Sequence, residues 1–493
     1  MKANMGLDFE GILKKGICGL ICFLMILAAT SLWSLFSFDA FGLGEKTIEV
    51  HLSNDFKKAK EKFNEKLRDE PLKQASVVNI ILDQDIEINY NSNFSKITGM
   101  GNGYLFDFSS NKFKDKTINI KSSGKNVFKI KNKNQNIGFL NAKGCTVNLE
   151  NVSVVGGAAY KGEYKIPCAR VRVDSECVDL NRDFINLFDN CVLNLNNLSE
   201  IKDVYISNAK YHVINLNDSQ INMNGGGVSG CRIESEYGCP AGGAVYADNQ
   251  SSVVLNSSGY ITKCSLYQSD SAKGGAVCLD NGSMLEIKSG GRIDNCCVAA
   301  DWAVGGAISA EHKSTVIMEN GSLINRCSAL GRASCAGAIF VDVGSCLDLR
   351  GGEISDCQAK EYGDAIYFAG NGEFKLASPG GSLQIKLPQG LDNSHNSDIS
   401  AVWGYQGIYK YGVSLKADAK DVSFYKIPVE FNFKTELVVD KKFADKSMLN
   451  FIDRDMKKFD FSGVKWKYTD INGNVNEIDD QTKVSDFAVF AKK

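Results

Sequence analysis

Proline is scarce in this chain, six residues in 493, and histidine scarcer still, with four. Set against 47 glycines, and with Asn, Ser and Val recurring through the middle, so little proline suits many short strands joined by tight turns. The four histidines, His51, His212, His312 and His395, stand in unrelated contexts, so no histidine-centred catalytic set is legible. An excess of either charge is also missing: 56 basic residues face 58 acidic ones, for a net charge of −2. That balance gives no general attraction to nucleic acid, which is not an expected partner. No C-x-x-C pair has zinc-ribbon spacing, so a structural zinc site is not expected. Neither Cys18 nor Cys22 has a lipobox context, and no LPxTG-like sorting signal is present.

One stretch lacks charge altogether. "GICGLICFLMILAATSLWSLFSF", residues 16–38, follows Lys14 and Lys15 and is long enough to span a bilayer as a helix. With the lysines held in the cytoplasm, everything after Asp39 would lie outside. Residues 1–44 are therefore expected to be a signal peptide or an N-terminal membrane anchor, and the protein to be exported. Two of the sixteen cysteines fall in this run, and the other fourteen would meet an environment that permits disulfides.

The rest of the chain repeats itself. "GGAVYADNQSSVVLNSSGYITKC" (242–264) is followed by "GGAVCLDNGSMLEIKSGGRIDNC" (274–296), by a third copy from Gly305 and by a fourth from Ala336. Their alanines, Ala244, Ala276, Ala307 and Ala338, recur at a nearly constant spacing, and Ala365 belongs to an abbreviated fifth copy. A fixed period of this kind, in the range of about 20–50 residues, marks a solenoid. Each copy divides into a GGAVYAD-like strand, a VVLN-like strand and a G-x-I-x-x-C-like piece, joined by polar turns such as "DNGS".

The second strand alternates most clearly. One inward column reads Val147, Leu193, Ile221, Val253, Leu285, Val316, Leu347, and a second reads Leu149, Leu195, Met223, Leu255, Ile287, Met318, Leu349. Asn148, Asn194, Asn222, Glu286 and Asp348 lie between them and face out, as do Lys288, Glu319 and Arg350 beyond, stacked plus, minus, plus. Val254 and Ile317 break the outward column. Alternation of period two over seven coils is the pattern of half-buried strands. Upstream, "VVNIILDQDIEI" and "TINIKSSGKNVFKI" read as first strands. In "SNDFKKAKEKFNEKLRDE", Phe56, Ala59 and Phe63 share one helical face, with Ser53 or Asn54 as N-cap. Such a helix would cover the open apolar end of the stack.

The GGA-[VI] repeats with G-x-I-x-x-C partners resemble right-handed parallel β-helix proteins of bacterial surfaces. They are similar to the passenger domains of polymorphic outer-membrane proteins, over roughly residues 76–385. In the GGA copies the FxxN tetrapeptide of that family is replaced by I-x-x-C, as in "ITKC" and "IDNC", and no C-terminal translocator barrel is visible. The resemblance implies an all-β, right-handed parallel β-helix that binds at a cell surface. The expected organisation is strand and capping helix over 45–75, parallel β-helix over 76–399 and a small β-rich module over 400–493. In that module, "DINGN" at Asp470 departs from a calcium loop, with Val475 at the glycine position and Gln481 at the twelfth. Asn472-Gly473 reads instead as a hairpin turn.

Three groups could carry chemistry. Cys231, Cys264, Cys296, Cys327 and Cys357 recur once per coil, at the period of the repeat, and are expected to be a buried packing ladder in place of a metal or redox array. Cys168 and Cys177, in the insertion "AYKGEYKIPCARVRVDSEC", could close a loop by a disulfide. The outward face of the first strand offers Tyr246, Phe340 and Tyr367, with Cys278 and Ser309 between them. Beside these run Asp248, Asp280, Glu311 and Asp342, an acidic column. Aromatic faces next to carboxylates suit a glycan or a surface protein, and oxygen ligands alone would admit calcium. The same acids could instead serve the turns before Ser251, Ser283, Ser314 and Ser345. No isolated acid/base pair is evident, so binding is expected in preference to a polysaccharide lyase or hydrolase on the same fold.

Overall fold

The computed structural model describes residues 46–53, 56–88, 103–156, 179–342 and 344–360, then 363, 365–369 and short strands as far as residue 492. Residues 16–38, Cys168 and Cys177 fall outside the described residues. The chain is a parallel β-helix of about nine turns. Each coil lays one strand on each of three long faces: a 16-stranded sheet, an 11-stranded sheet and a 10-stranded sheet. From Tyr205 onward most coils add a strand to a fourth, six-stranded sheet.

The inward columns have the register that the alternation gives. Leu193 pairs with Val147 and Ile221, and the column continues through Val253, Leu285, Val316 and Leu347. All of these are buried in one core cluster with the second column from Leu149 to Leu349. Fully burying a side chain of this size contributes about 1.5–3 kcal/mol, and every coil repeats it.

Two different constraints explain the paired glycines. Gly242, Gly274 and Gly305 have φ of 66°, 68° and 66°, the left-handed region where a side chain is strained. Gly243, Gly275 and Gly306 are crowded by the next coil, where an added Cβ would lie 2.2, 2.1 and 2.1 Å from a glycine carbonyl oxygen. The alanine that follows each pair is buried. "GGA" is thus a corner where one coil turns under the next.

At the other end of the same strand lies a tight turn. The central residues Asn249 and Gln250 have φ of 52° and 60°, and His312 and Lys313 have 45° and 68°. The corner closes when Ser251, Ser283, Ser314 and Ser345 N–H donate to the carbonyls of Asp248, Asp280, Glu311 and Asp342, at 3.3, 3.1, 3.1 and 3.0 Å. These serines are buried, and their hydroxyls accept from the coil below: Ser219 N to Ser251 Oγ (3.1 Å), Ser251 N to Ser283 Oγ (3.1 Å) and Ser314 N to Ser345 Oγ (3.2 Å). The Ser219 amide is satisfied in this way, and the Ser251 and Ser314 amides are shared between the carbonyl of their own corner and a hydroxyl of the neighbouring coil.

The outward asparagines are joined as well. Asn119, Asn148, Asn194 and Asn222 each donate Nδ2 to the Oδ1 of Asn79, Asn119, Asn148 and Asn194 respectively, at 2.7–2.8 Å. The charged column is in register but is not paired as the stacking suggested. Lys288 bonds Glu286 and Arg350 bonds Asp348, each along its own strand. A partner two residues away on the same face demands no agreement between coils.

The N-terminal strand Lys46–Leu52 pairs in parallel with Ala75–Leu82, and between them lie helices Phe56–Lys66 and Asp69–Gln74. Phe63, Leu67 and Leu72 are buried in the main core cluster. Parallel pairing does not stop at residue 399: Ser414–Ala417 and Asp421–Phe424 continue two of the long sheets. Trp466–Thr469 and Val475–Glu477 pair in antiparallel fashion, and Asn472-Gly473 between them falls outside the described residues.

Candidate functional site

The acidic column and its aromatic neighbours lie on the outward side of the 10-stranded sheet. Val245, Val277, Ile308 and Ile339 point into the core, so Tyr246, Cys278, Ser309, Phe340 and Tyr367 point away from it, in register. Pointing outward does not make all of them accessible. Phe340 and Tyr367, 8% and 9% exposed, stack on each other at 5.8 Å and are packed by Val304 and Ala336. These two rings offer no open face. Between them and Tyr246 stand the small residues Cys278 and Ser309, both buried, and the Glu311 carboxylate lies against Ser309. Glu311 is 4% exposed, accepts from Ser309 Oγ at 2.9 Å and is bonded by Lys273 Nζ at 2.6 Å. Burial works to lower the Lys273 pKa, but the Glu311 carboxylate outweighs it and the net shift is upward.

What stays open is the stretch around Tyr246. This ring is half-buried and stacks on the imidazole of His212, with centroids 4.5 Å apart and planes 13° from parallel. His212 is fixed in turn by Asp183, whose Oδ1 accepts its backbone N–H at 2.7 Å. The Tyr246 hydroxyl donates to Asp280 Oδ2 at 3.3 Å, and Asp280 Oδ1 contacts His312 Nδ1. Asp248 and Asp280 accept the amides of Asn249 and Asn281 at their own corners, and Asn281 Nδ2 reaches back to Asp248 at 2.7 Å. Asp342 is half-buried at the fourth corner. Burial, with the Asp280 and Asp248 charges, pushes the Tyr246 phenol well above its ordinary range, so it stays protonated. Asp280 likewise raises the His312 pKa. The site is thus a ring with a phenolic donor, flanked by two carboxylates and two imidazoles. It can hold polar, hydroxyl-rich matter, and its tyrosine is not poised as a base.

The predicted stripe therefore divides. Tyr246, Asp248 and Asp280 come together, Glu311 is spent on an internal ion pair, and Phe340 and Tyr367 are covered. His212 and His312 belong to the site, although their sequence contexts looked unrelated. His312 sits two coils from Asp248 in the same corner, so its place in the repeat was the available signal. Among the described residues no group of three His, Cys, Asp or Glu side chains converges as a metal-binding set.

Cys231, Cys264, Cys296, Cys327 and Cys357 are buried free thiols in one column. Each lies within 3.3–3.5 Å of the carbonyl oxygen two residues earlier. Each also follows a residue with φ between 52° and 62°, so the thiol fills the inside of a bend. Burial holds the thiols of Cys231, Cys296 and Cys357 well above the usual range. Such thiols are unreactive.

A shallow groove of about 390 Å³ lies elsewhere, at the first coils, lined by Glu49, His51, Lys121, Ser122 and Glu150 among others. His51 Nδ1 is 3.0 Å from both Asp83 oxygens and Nε2 is 3.1 Å from Glu49, and these carboxylates raise its pKa. No protein family, curated protein or solved structure matches the chain.

Proposed function

We propose that the protein is an exported, envelope-associated or cell-surface β-helix that binds a glycan, in the manner of an adhesin, through the stretch around Tyr246. One observation carries the reading. The Tyr246 ring is presented on a rigid sheet, braced by His212 and Asp280, with its hydroxyl kept as a donor between carboxylates. Aromatic faces beside hydrogen-bonding groups hold sugars by stacking and by polar contacts. Export rests on the uncharged run of residues 16–38 behind Lys14 and Lys15. Among the described residues no helix is long and apolar enough to cross a membrane, and that run lies outside them. Kinship with the passengers of polymorphic outer-membrane proteins is part of the same proposal, on the strength of the GGA-[VI] repeats. A host or envelope protein is the other class of ligand that the face admits.

The rival reading is a polysaccharide-active enzyme, favoured by the run of Asp183, His212, Tyr246, Asp280 and His312 along one face. Incubation with uronate and neutral glycans separates the two: retention without turnover is expected, and product formation would establish the enzyme. A reporter fused after residue 60 should be active outside the cytoplasm, and activity confined to the cytosol would overturn export. Calcium at the acidic column would have to displace the corner amides and side chains already bonded to Asp248 and Asp280. An unchanged melting temperature in millimolar calcium is therefore expected.

A further inference from the structure

Just before two of the GGA corners the coils carry an extra short strand: Ser271–Lys273 pairs in parallel with Trp302–Val304. Ala272 and Ala303 are buried in the core, so Ser271, Lys273, Trp302 and Val304 point outward. These outward side chains touch those of the 10-stranded sheet. Lys273 bonds Glu311, and Val304 packs with Phe340 and Tyr367. A side chain as short as valine reaches the neighbouring face only across a concave corner, so the GGA corner is the bottom of a cleft that follows the solenoid axis. Tyr246 stands in the Phe340 column and belongs to one wall. The opposite wall is the short sheet, which Ala241 extends through its bridge to Lys273. In the coil of Tyr246, Ala241 thus holds the place that Val304 fills farther on, with a smaller side chain.

The rim of that second wall is aromatic. Trp302 is 55% exposed and Tyr237 82%. The carbonyl of Glu236 accepts from Ser269 Oγ at 3.4 Å, and the carbonyl of Ser269 accepts from Asp301 N at 3.3 Å, so these three are successive rungs. Tyr237 and Trp302 follow the first and the last of them, two coil steps or roughly 9.6 Å apart along the axis. Single exposed hydrophobics need no explanation. Here two of the three large ones exposed among the described residues, Leu198 being the other, share one rim. We propose that the cleft holds a neutral, extended glycan chain several sugars long, gripped between Tyr246 on one wall and the Tyr237–Trp302 rim on the other; this rests on the reading of Tyr246 as a glycan site. The rim spacing is close to the length of a β-linked disaccharide, so the two rings suit alternate sugars. Asp270, exposed on the rung between, can accept from their hydroxyls. Charge selects a neutral chain. Lys273 is paired with Glu311, His312 with Asp280, and Arg332 lies near Asp301. Asp248 and Asp270 have no cation beside them among the described residues, and this surplus of negative charge opposes a polyuronate.

The test is calorimetric titration of the full chain with β-linked oligomers of glucose, mannose and N-acetylglucosamine, each from disaccharide to hexasaccharide, and with oligogalacturonates of the same lengths. Affinity of the wild-type chain for at least one neutral series should rise at least tenfold from disaccharide to hexasaccharide. Trp302→Ala should abolish that rise while leaving disaccharide affinity within about twofold, and Tyr237→Ala should reduce the rise. Both residues are exposed, so the variants should fold, which circular dichroism checks. Tyr246→Ala should weaken every length. Equal hexasaccharide affinity of Trp302→Ala and wild type, with Tyr246→Ala still impaired, overturns the cleft and leaves the Tyr246 site standing. Unchanged affinity in Tyr246→Ala defeats the Tyr246 reading and the two-walled cleft with it. Tighter binding of oligogalacturonates than of every neutral series also overturns the proposal, and a wild-type chain that binds none of the oligomers defeats both.

Discussion

At the scale of single residues, the repeat spells out where the backbone cannot tolerate a side chain. Gly306→Ala would place a Cβ about 2.1 Å from the Gly337 carbonyl oxygen, a clash with backbone that no rotamer relieves. A loss of about 2–4 kcal/mol is expected, within the range for overpacking and backbone strain. Chemical denaturation measures it. A loss no larger than the roughly 0.5 kcal/mol of an ordinary surface substitution would show that the coils are not stacked so closely. Asp203 is a residue in conflict with its surroundings. Burial pushes its carboxyl up to about 6, with Lys202 opposing and Glu200 adding to the shift. An acid whose folded pKa is raised costs stability at neutral pH, and the cost fades as pH falls through 6 towards 4. Asp203→Asn keeps a residue that tolerates φ of 53°. It should stabilise by about 1 kcal/mol at pH 7, allowing for solvent screening, and by nothing near pH 4. A gain that does not vary with pH would remove the burial explanation. Single residues also mark the limit of reading from sequence. Tyr246 was legible as outward-facing, but the cover over Phe340 and Tyr367 was not: it comes from Ala336, which stands where the earlier copies carry the first glycine, and from Val304, directly before Gly305.

At the scale of the element, strand and corner share the work of holding coils in register. The inward columns were readable because alternation of period two recurs in each copy. The serine column was not, since a serine in a polar turn looks the same whether it faces water or accepts a buried amide. Its hydroxyls show the second case. For the cysteine column, Cys296→Asp would place a carboxylate among fully buried neighbours and should cost several kcal/mol. Cys296→Ala removes one sulfur and its contact with the Asp294 carbonyl, at a cost of about 1–2 kcal/mol. Thermal unfolding of the two variants should therefore differ widely, and equal tolerance of Asp and Ala would mean that the column faces solvent. The charged column shows where register alone misleads: Lys288 and Arg350 find acids along their own strands, because a neighbour two residues away competes with one on the next coil.

For the whole molecule, the solenoid converts a repeated sentence into long flat faces, and most of the polar groups on them are bonded to one another. The asparagine ladder, the Lys273–Glu311 pair and the Arg326–Asp294 pair all satisfy themselves. Tyr246 differs in being half-open while braced from two sides, which is why binding is placed there. The fold could be read from the repeat because a constant period of this length admits few architectures. The site could not be read as fully, because it depends on which outward side chains the connections leave uncovered. The most direct measurement is the retention of the full chain, and of its Tyr246→Ala variant, on an immobilised panel of uronate glycans, neutral glycans and matrix proteins. Wild-type chain should be retained without turnover on at least one glycan, and Tyr246→Ala, still folded by circular dichroism, should lose at least tenfold in affinity there. Failure of the wild type to bind any glycan, or equal retention of both proteins, would contradict the account.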